Sequence, residues 1–432
     1  MRTTLFASAL AGLAAVSNAI PTISVKGSKF FTSDGNQFFV KGIAYQLVPD
    51  DPLIDSDQCK LDAALMKTIG TNSIRVYHVD SSVSHKDCMQ SFEDAGIYIW
   101  LDLDTFSSAI FQDAPHWNVT QRDAFGAVMD EFHQYDNLAG FFVGNEVLTT
   151  KNGSISAPFV KAATRDLKAY RDSKGYRNIP IGYSAADIAE LRPTLQNYLS
   201  CGSNSSEQID FYALNAYEWC GDQNFQTSGY QILTNQVLTY NVPIFFSETG
   251  CQTVRPRTFE DQTAIYGSQM TPYWSGSIIY EWIEEANNYG LIQYGAKVDP
   301  SSPGAPPDGF PRSGKPTPLQ PEWGNLSKVW AAAKPSGVSE AAYKPSLTAP
   351  ACPEMTAGTW NVDGAAALPT LGQTFEAQAT NAPTVSSSGA APTGTQAQAS
   401  PSGTSGVGSP AKELRGMGVG LVGVLVGFFW WM

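Results

Sequence analysis

Charge is what this chain has least of. Asp, Glu, Lys and Arg make up 16% of its 432 residues, and the basic side is the thinner, with 27 Lys and Arg against 40 Asp and Glu. The net charge of -13 argues against nucleic acid or an anionic membrane surface as the main partner and leaves a neutral polymer compatible. Histidine is scarce as well. His78, His85, His116 and His133 form no HExxH or similar metal-spaced set, a G-x-S-x-G nucleophile elbow is missing, and no C-x-x-C pair suggests a zinc or thioredoxin-like site. One G-x-G-x-x-G occurs, Gly418 to Gly423, but it lies in a terminal apolar tail and opens no βαβ unit, so it carries no dinucleotide reading. Nothing in the chain calls for a metal or an organic cofactor, and no internal repeat is evident.

Aromatic residues, at 12%, are abundant and suit a large core with an aromatic-lined surface. Both ends carry processing signals. Met1 to Ala19 has Arg2, an apolar middle and the small-residue ending Ser17-Asn18-Ala19 of a secretion signal. At the other end, small residues (Ser402 to Gly408), a polar spacer and the apolar Met417 to Met432 form the pattern of a glycosylphosphatidylinositol (GPI) anchor signal, with Ser405 or a neighbour as attachment point. The expected organisation is a signal at 1–19, a folded domain at 20–352, a disordered Ser/Thr/Ala/Pro-rich stalk at 353–408 and a removed anchor signal at 409–432. The six cysteines, an even count in a chain bound for secretion, imply disulfides. Sequons at Asn118, Asn152, Asn204 and Asn325 fit the same route.

Within 20–352, Ser28 to Val40 reads as two short strands around the Asp34-Gly35-Asn36 turn. Eight apolar strand-like runs follow: Phe39–Tyr45, Ser73–Tyr77, Ile97–Asp102, Leu138–Glu146, Pro180–Ser184, Asp210–Asn215, Val242–Glu248 and Ser277–Glu281. Helical spacing separates several of them. In Thr120–Tyr135, Phe125, Val128, Met129 and Phe132 recur at i, i+3, i+4 and i+7, and Thr120 with Asp123 resembles a capping box. Eight alternating units predict an α/β fold closed into a (β/α)8 barrel, with an open doubly wound sheet as runner-up. Pro300–Pro321 reads as a surface loop returning to a last helix near Leu326–Ala333.

Two of the runs end alike. LAGFFVGNEV delivers Asn145-Glu146 and VPIFFSETG delivers Glu248, and strand carboxyl ends are where such barrels do their chemistry. A lone glutamate at a strand end is most simply a surface ion pair. Two on facing strands match the demand of glycosidic cleavage with retention, in which one carboxylic acid protonates the leaving oxygen and the other carboxylate attacks the anomeric carbon. Asn145 is suited to donate to a sugar 2-hydroxyl. Gln46, Tyr77, Asp102, Tyr217 and Tyr280 end other strands at the same rim, where tyrosines either stack on sugars or donate to the nucleophile.

The segments KGIAYQ (Lys41–Gln46), IRVYHVD (Ile74–Asp80), FFVGNEV (Phe141–Val147), NAYEWCG (Asn215–Gly221), TSGY (Thr227–Tyr230) and FFSETGC (Phe245–Cys251) resemble those of the fungal GPI-anchored β-1,3-glucanosyltransferases, glycoside hydrolase family seventy-two. The resemblance runs from about Lys26 to Cys352. It implies Glu146 as acid/base, Glu248 as nucleophile, Gln46, Tyr77, Asp102, Asn145, Tyr217 and Tyr280 along the subsites, and pairings Cys59–Cys88, Cys220–Cys251 and Cys201–Cys352. It further implies β-1,3-glucan as donor and acceptor, no cofactor, a monomer, and a place on the outer face of the plasma membrane or in the wall. Longer members carry a cysteine-rich carbohydrate-binding module after the barrel; here only the Ser/Thr/Pro-rich stretch follows, so this chain resembles the short subtype. A secreted β-glucanase or mannanase, and a catalytically silent wall-binding protein, are the rival expectations.

Overall fold

The computed structural model describes residues 20–47, 51–105 and 107–373. The secretion signal, the anchor signal with Ser405, and the stretch from residue 374 onward lie outside the described residues. Three short antiparallel strands, β1 (Ile23–Lys26), β2 (Lys29–Thr32) and β3 (Gln37–Phe38), come first, one more than the expected hairpin. The barrel strands are β4 (Val40–Ala44), β5 (Ser73–Val76), β6 (Tyr98–Asp102), β7 (Leu138–Asn145), β8 (Ile181–Ala186), β9 (Phe211–Asn215), β10 (Ile244–Thr249) and β11 (Trp274–Ile279). They pair in parallel and close, β11 meeting β4 and β9 meeting β10. Each is followed by a helix: α1 (Ser56–Thr68), α2 (Lys86–Ala95), α3 (Val119–Phe132), α4 (Ala157–Ser173), α5 (Arg192–Ser200), α6 (Tyr230–Gln236), α7 (Glu260–Ile265) and α8 (Glu322–Ala332). The chain is a (β/α)8 barrel.

Alternation along the strands divides the core in two. On β7, Leu138, Phe141 and Val143 join the shell between barrel and helices, whereas Ala139 and Phe142 fill the lumen with Trp100, Phe211 and Phe245. The N-terminal sheet plugs the lower end. Phe30 enters edge-on, its ring 5.1 Å from Trp100 and 5.8 Å from Phe211. Barrel closure requires a glycine, because Gly276 on β11 has φ 110° and a Cβ there would lie 2.0 Å from the Val40 carbonyl oxygen.

Two expectations change. Helix α3 is capped two residues earlier than the Thr120/Asp123 pattern suggested: Asn118 Oδ1 accepts from the Gln121 amide and Gln121 Oε1 from the Asn118 amide. Among the sequons, Asn325 is half-buried in α8 with its Nδ2 donating to the Arg257 carbonyl at 2.8 Å, whereas Asn152 and Asn204 are exposed. The folded unit also runs past Cys352. Trp360 is 2% exposed and packs on Tyr198 of α5, Asn361 N donates to Ser154 Oγ, and Gly372 N donates to the Trp117 carbonyl. Residues 353–373 thus form a strap on the barrel, because Trp360 and Val362 supply the apolar anchors that the surrounding Ala, Thr and Pro lack. The six cysteines form Cys59–Cys88, Cys201–Cys352 and Cys220–Cys251, the pairing the resemblance implies.

A fully buried imidazole ties the first loops together. His85, before α2, has Nε2 2.9 Å from Asp51 and Nδ1 3.1 Å from Glu131 of α3. Burial opposes its charge, but the two carboxylates outweigh that and raise its pKa above the usual value. A histidine whose folded pKa is raised stabilises fully below its unfolded pKa of about 6.5 and loses that contribution as pH climbs through the folded value. A His85→Gln variant should therefore unfold about 2 kcal/mol more easily below pH ~6, the deficit shrinking in alkali, as followed by melts across pH.

Candidate active site

The carboxyl ends of the strands gather the polar residues. Arg75, on β5, is fully buried, and its guanidinium holds the layer beneath the groove together. Nε and Nη2 grip Asp102 at 3.0 and 2.7 Å, Nη2 also donates to Asn145 Oδ1 at 2.9 Å, and Nη1 donates to Ser184 Oγ at 3.1 Å and Glu248 Oε1 at 3.3 Å. The rings of Tyr77 and Phe142 lie 4.3 and 4.5 Å from its central carbon.

Glu248, the penultimate residue of β10, is 8% exposed and receives three donors. Tyr77 OH donates to Oε1 at 3.0 Å, Tyr217 OH to Oε2 at 2.7 Å, and Arg75 completes the set. Burial and the nearby Glu146 charge outweigh Arg75 and the two tyrosine hydroxyls, which favour the ion, and leave this carboxyl raised to about 7. An acceptor-only carboxylate satisfies all three donors at once, so the geometry selects the ionised form.

Glu146, the residue after β7, is in the left-handed region, φ 49°, a strained backbone for a residue with a side chain. Its amide donates to the Ser184 carbonyl and its Oε1 accepts from Asn215 Nδ2 at 2.9 Å. Asn215 pairs with Glu248 in the β9–β10 register, so the strand neighbour of one glutamate donates to the other. Asn145 Oδ1 accepts from Arg75, Ser184 and Asn215, which turns its Nδ2 into the end free to donate. Gln46 Nε2 donates to Tyr280 OH at 2.7 Å and to Glu281 at 2.8 Å. Tyr77, Tyr217 and Tyr280 stand edge to face at 6.5 Å, with Tyr289 5.2 Å from Tyr280, forming one aromatic wall. Among the described residues no cluster of three His, Cys, Asp or Glu could hold a metal ion.

Six of the eight expected carboxyl, amide and phenol groups, Gln46, Tyr77, Asn145, Glu146, Tyr217 and Tyr280, are half-buried at this rim, and Glu248 lies just below. Asp102 departs from expectation. At 2% exposure, with both oxygens on Arg75, it positions the guanidinium and does not line the groove. Sequence reasoning passed over Arg75 and Asn215, although both stand in quoted motifs; a lone charge inside the buried run Ser73–Tyr77 was the available signal for Arg75.

A family model described as glucanosyltransferase matches residues 12–301. Protein EPD1 of Candida maltosa is 45% identical over 300 residues, 67% of this chain and 54% of its own length, so the chain spans about half that relative. A 1,3-beta-glucanosyltransferase of Arthroderma benhamiae is 41% identical over 355 residues, covering 79% of this chain and 61% of its own. Among solved structures, a mutant of Saccharomyces cerevisiae Gas2p in complex with laminaritetraose and laminaripentaose matches at TM-score 0.72 and 37% identity, over 82% of this chain and 75% of that one.

Tyr217→Phe removes the shortest donor to Glu248, so the charged form loses support and its pKa rises. The titration of Glu248 should move up by about one unit, followed by carbon NMR of the labelled carboxyl.

Proposed function

The chain belongs to the glucanosyltransferase family, and on that premise we propose that it is a retaining β-1,3-glucanosyltransferase that cuts one β-1,3-glucan chain and lengthens another. The observation that carries this reading is the pair of strand-end glutamates in unlike surroundings. Glu248 is buried under a guanidinium and two phenols that favour its ion. Glu146 is half-buried, and among the described residues its carboxyl is held by the Asn215 amide on Oε1, which leaves its second oxygen for proton transfer.

In the proposed cycle, glucan lies along the tyrosine wall. Glu248 attacks the anomeric carbon while Glu146 protonates the departing chain, and a covalent glucosyl-enzyme forms. Asn145 Nδ2 donates to the sugar 2-hydroxyl, a contact that strengthens as positive charge develops on the ring. Glu146, now a base, takes the proton of an acceptor 3-hydroxyl, whose oxygen displaces Glu248 and makes the new β-1,3 bond. Water in place of that hydroxyl would give hydrolysis by the same two groups.

The relatives' printed names and the bound laminari-oligosaccharides of Gas2p support this substrate class. The disulfides fit an oxidising, extracytoplasmic setting, and we place the enzyme outside the plasma membrane, anchored by lipid at Ser405 or a neighbour and acting as a monomer.

Incubation with reduced laminari-oligosaccharides should give products both longer and shorter than the starting chain, resolved by chromatography; shorter products alone would remove the transferase claim. A fluorinated glucoside should label Glu248 and nothing else by peptide mapping, and Glu248→Gln should lose at least ~10³-fold in rate.

A further inference from the structure

A buried ammonium without a counter-ion lies against one of the three disulfides. Lys161, on α4, is 4% exposed, and its Nζ donates to the carbonyls of Tyr198 and Cys201 at 2.8 and 3.1 Å. It sits 3.2 Å from Cys201 Sγ and 4.8 Å from the centre of the Tyr198 ring. Among the described residues it has no ion pair, and Glu207 acts on it only from a distance. Burial lowers its pKa to about 8, so below that pH a largely unpaired positive charge is held beside sulfur.

The two sulfurs of this bond are unequal. Cys201 is 1% exposed, whereas Cys352 is partly open to solvent. An incoming thiolate reaches Cys352 and expels Cys201, whose thiolate would supply the anion that Lys161 lacks. Exchange speeds up as the leaving thiol becomes more acidic. The geometry points to Cys201–Cys352 as a thiol-exchange site, with Cys352 the sulfur attacked by a low-molecular-weight thiol and Lys161 the group that stabilises the departing Cys201.

In that step the thiolate forms a mixed disulfide with Cys352, the Cys352–Cys201 bond breaks, and its electron pair leaves on Cys201. No external oxidant is consumed. The other two bonds have no such partner: Cys59 and Cys88 are both buried, and Cys220 and Cys251 face the Tyr217 carbonyl and the Thr253 hydroxyl. What the labile bond fastens is the root of the 353–373 strap, whose far end reaches the Trp117 carbonyl in the loop after β6.

The intact protein is treated with reduced glutathione at neutral pH, quenched by alkylation at intervals and mapped by peptide mass spectrometry. With Lys161 stabilising the departing thiolate, Cys201–Cys352 should open ~10-fold faster than the other two bonds. The adduct should sit on Cys352 and the free thiol on Cys201. Lys161→Met should abolish the ~10-fold advantage and Lys161→Arg retain it. Glutathione on Cys201, equal opening of all three bonds, or an undiminished rate in Lys161→Met would overturn the assignment. The order of opening and the adduct position are read on the unaltered chain, so the test stands even where a variant does not fold.

Discussion

The site depends on one buried cation. Removing a guanidinium from water is costly unless anions and acceptors replace the lost hydration, and Arg75 receives both: Asp102 neutralises it, and Ser184, Asn145 and Glu248 take its remaining donors. These partners come from β6, β7, β8 and β10, so a single side chain on β5 fixes the relative heights of five strand ends. Without it, Asp102 and Glu248 would be left as buried carboxylates with no countercharge.

Beneath this layer the barrel is apolar. Trp100, Phe142, Phe211 and Phe245 fill the lumen, and Phe30 of the N-terminal sheet closes the bottom. An apolar floor of low dielectric strengthens each electrostatic contact above it. The same floor explains why burial drives Glu248 up to about 7 while the hydrogen bonds oppose it: the site needs an ion in a place that disfavours ions, and Arg75, Tyr77 and Tyr217 supply the compensation.

Much of this was legible in the chain. Eight apolar runs gave eight strands because barrel strands are buried on both sides and tolerate little else. Polar residues at the ends of those runs stood out for the same reason, which is how Glu146, Glu248, Asn145, Tyr77, Tyr217 and Tyr280 were found. Asp102 looked like its neighbours from the sequence, since a strand-end carboxylate reads the same whether it faces a sugar or an arginine. The strap at 353–373 shares its composition with a disordered stalk, and only the docking of Trp360 against Tyr198 sets it apart. The cap of α3 shifted because Asn118 with Gln121 satisfies two amides reciprocally, which Thr120 with Asp123 does not.

By itself the sequence determined the alternation of strand and helix and which polar residues stand at the strand ends, because hydrophobic periodicity is a local property of the chain. Tertiary structure decided what each carboxylate is. Whether a strand-end group is a buried counter-ion like Asp102, a held ion like Glu248 or a half-open proton carrier like Glu146 depends on donors at the ends of β5 and β9, brought within about 3 Å only when the barrel closes.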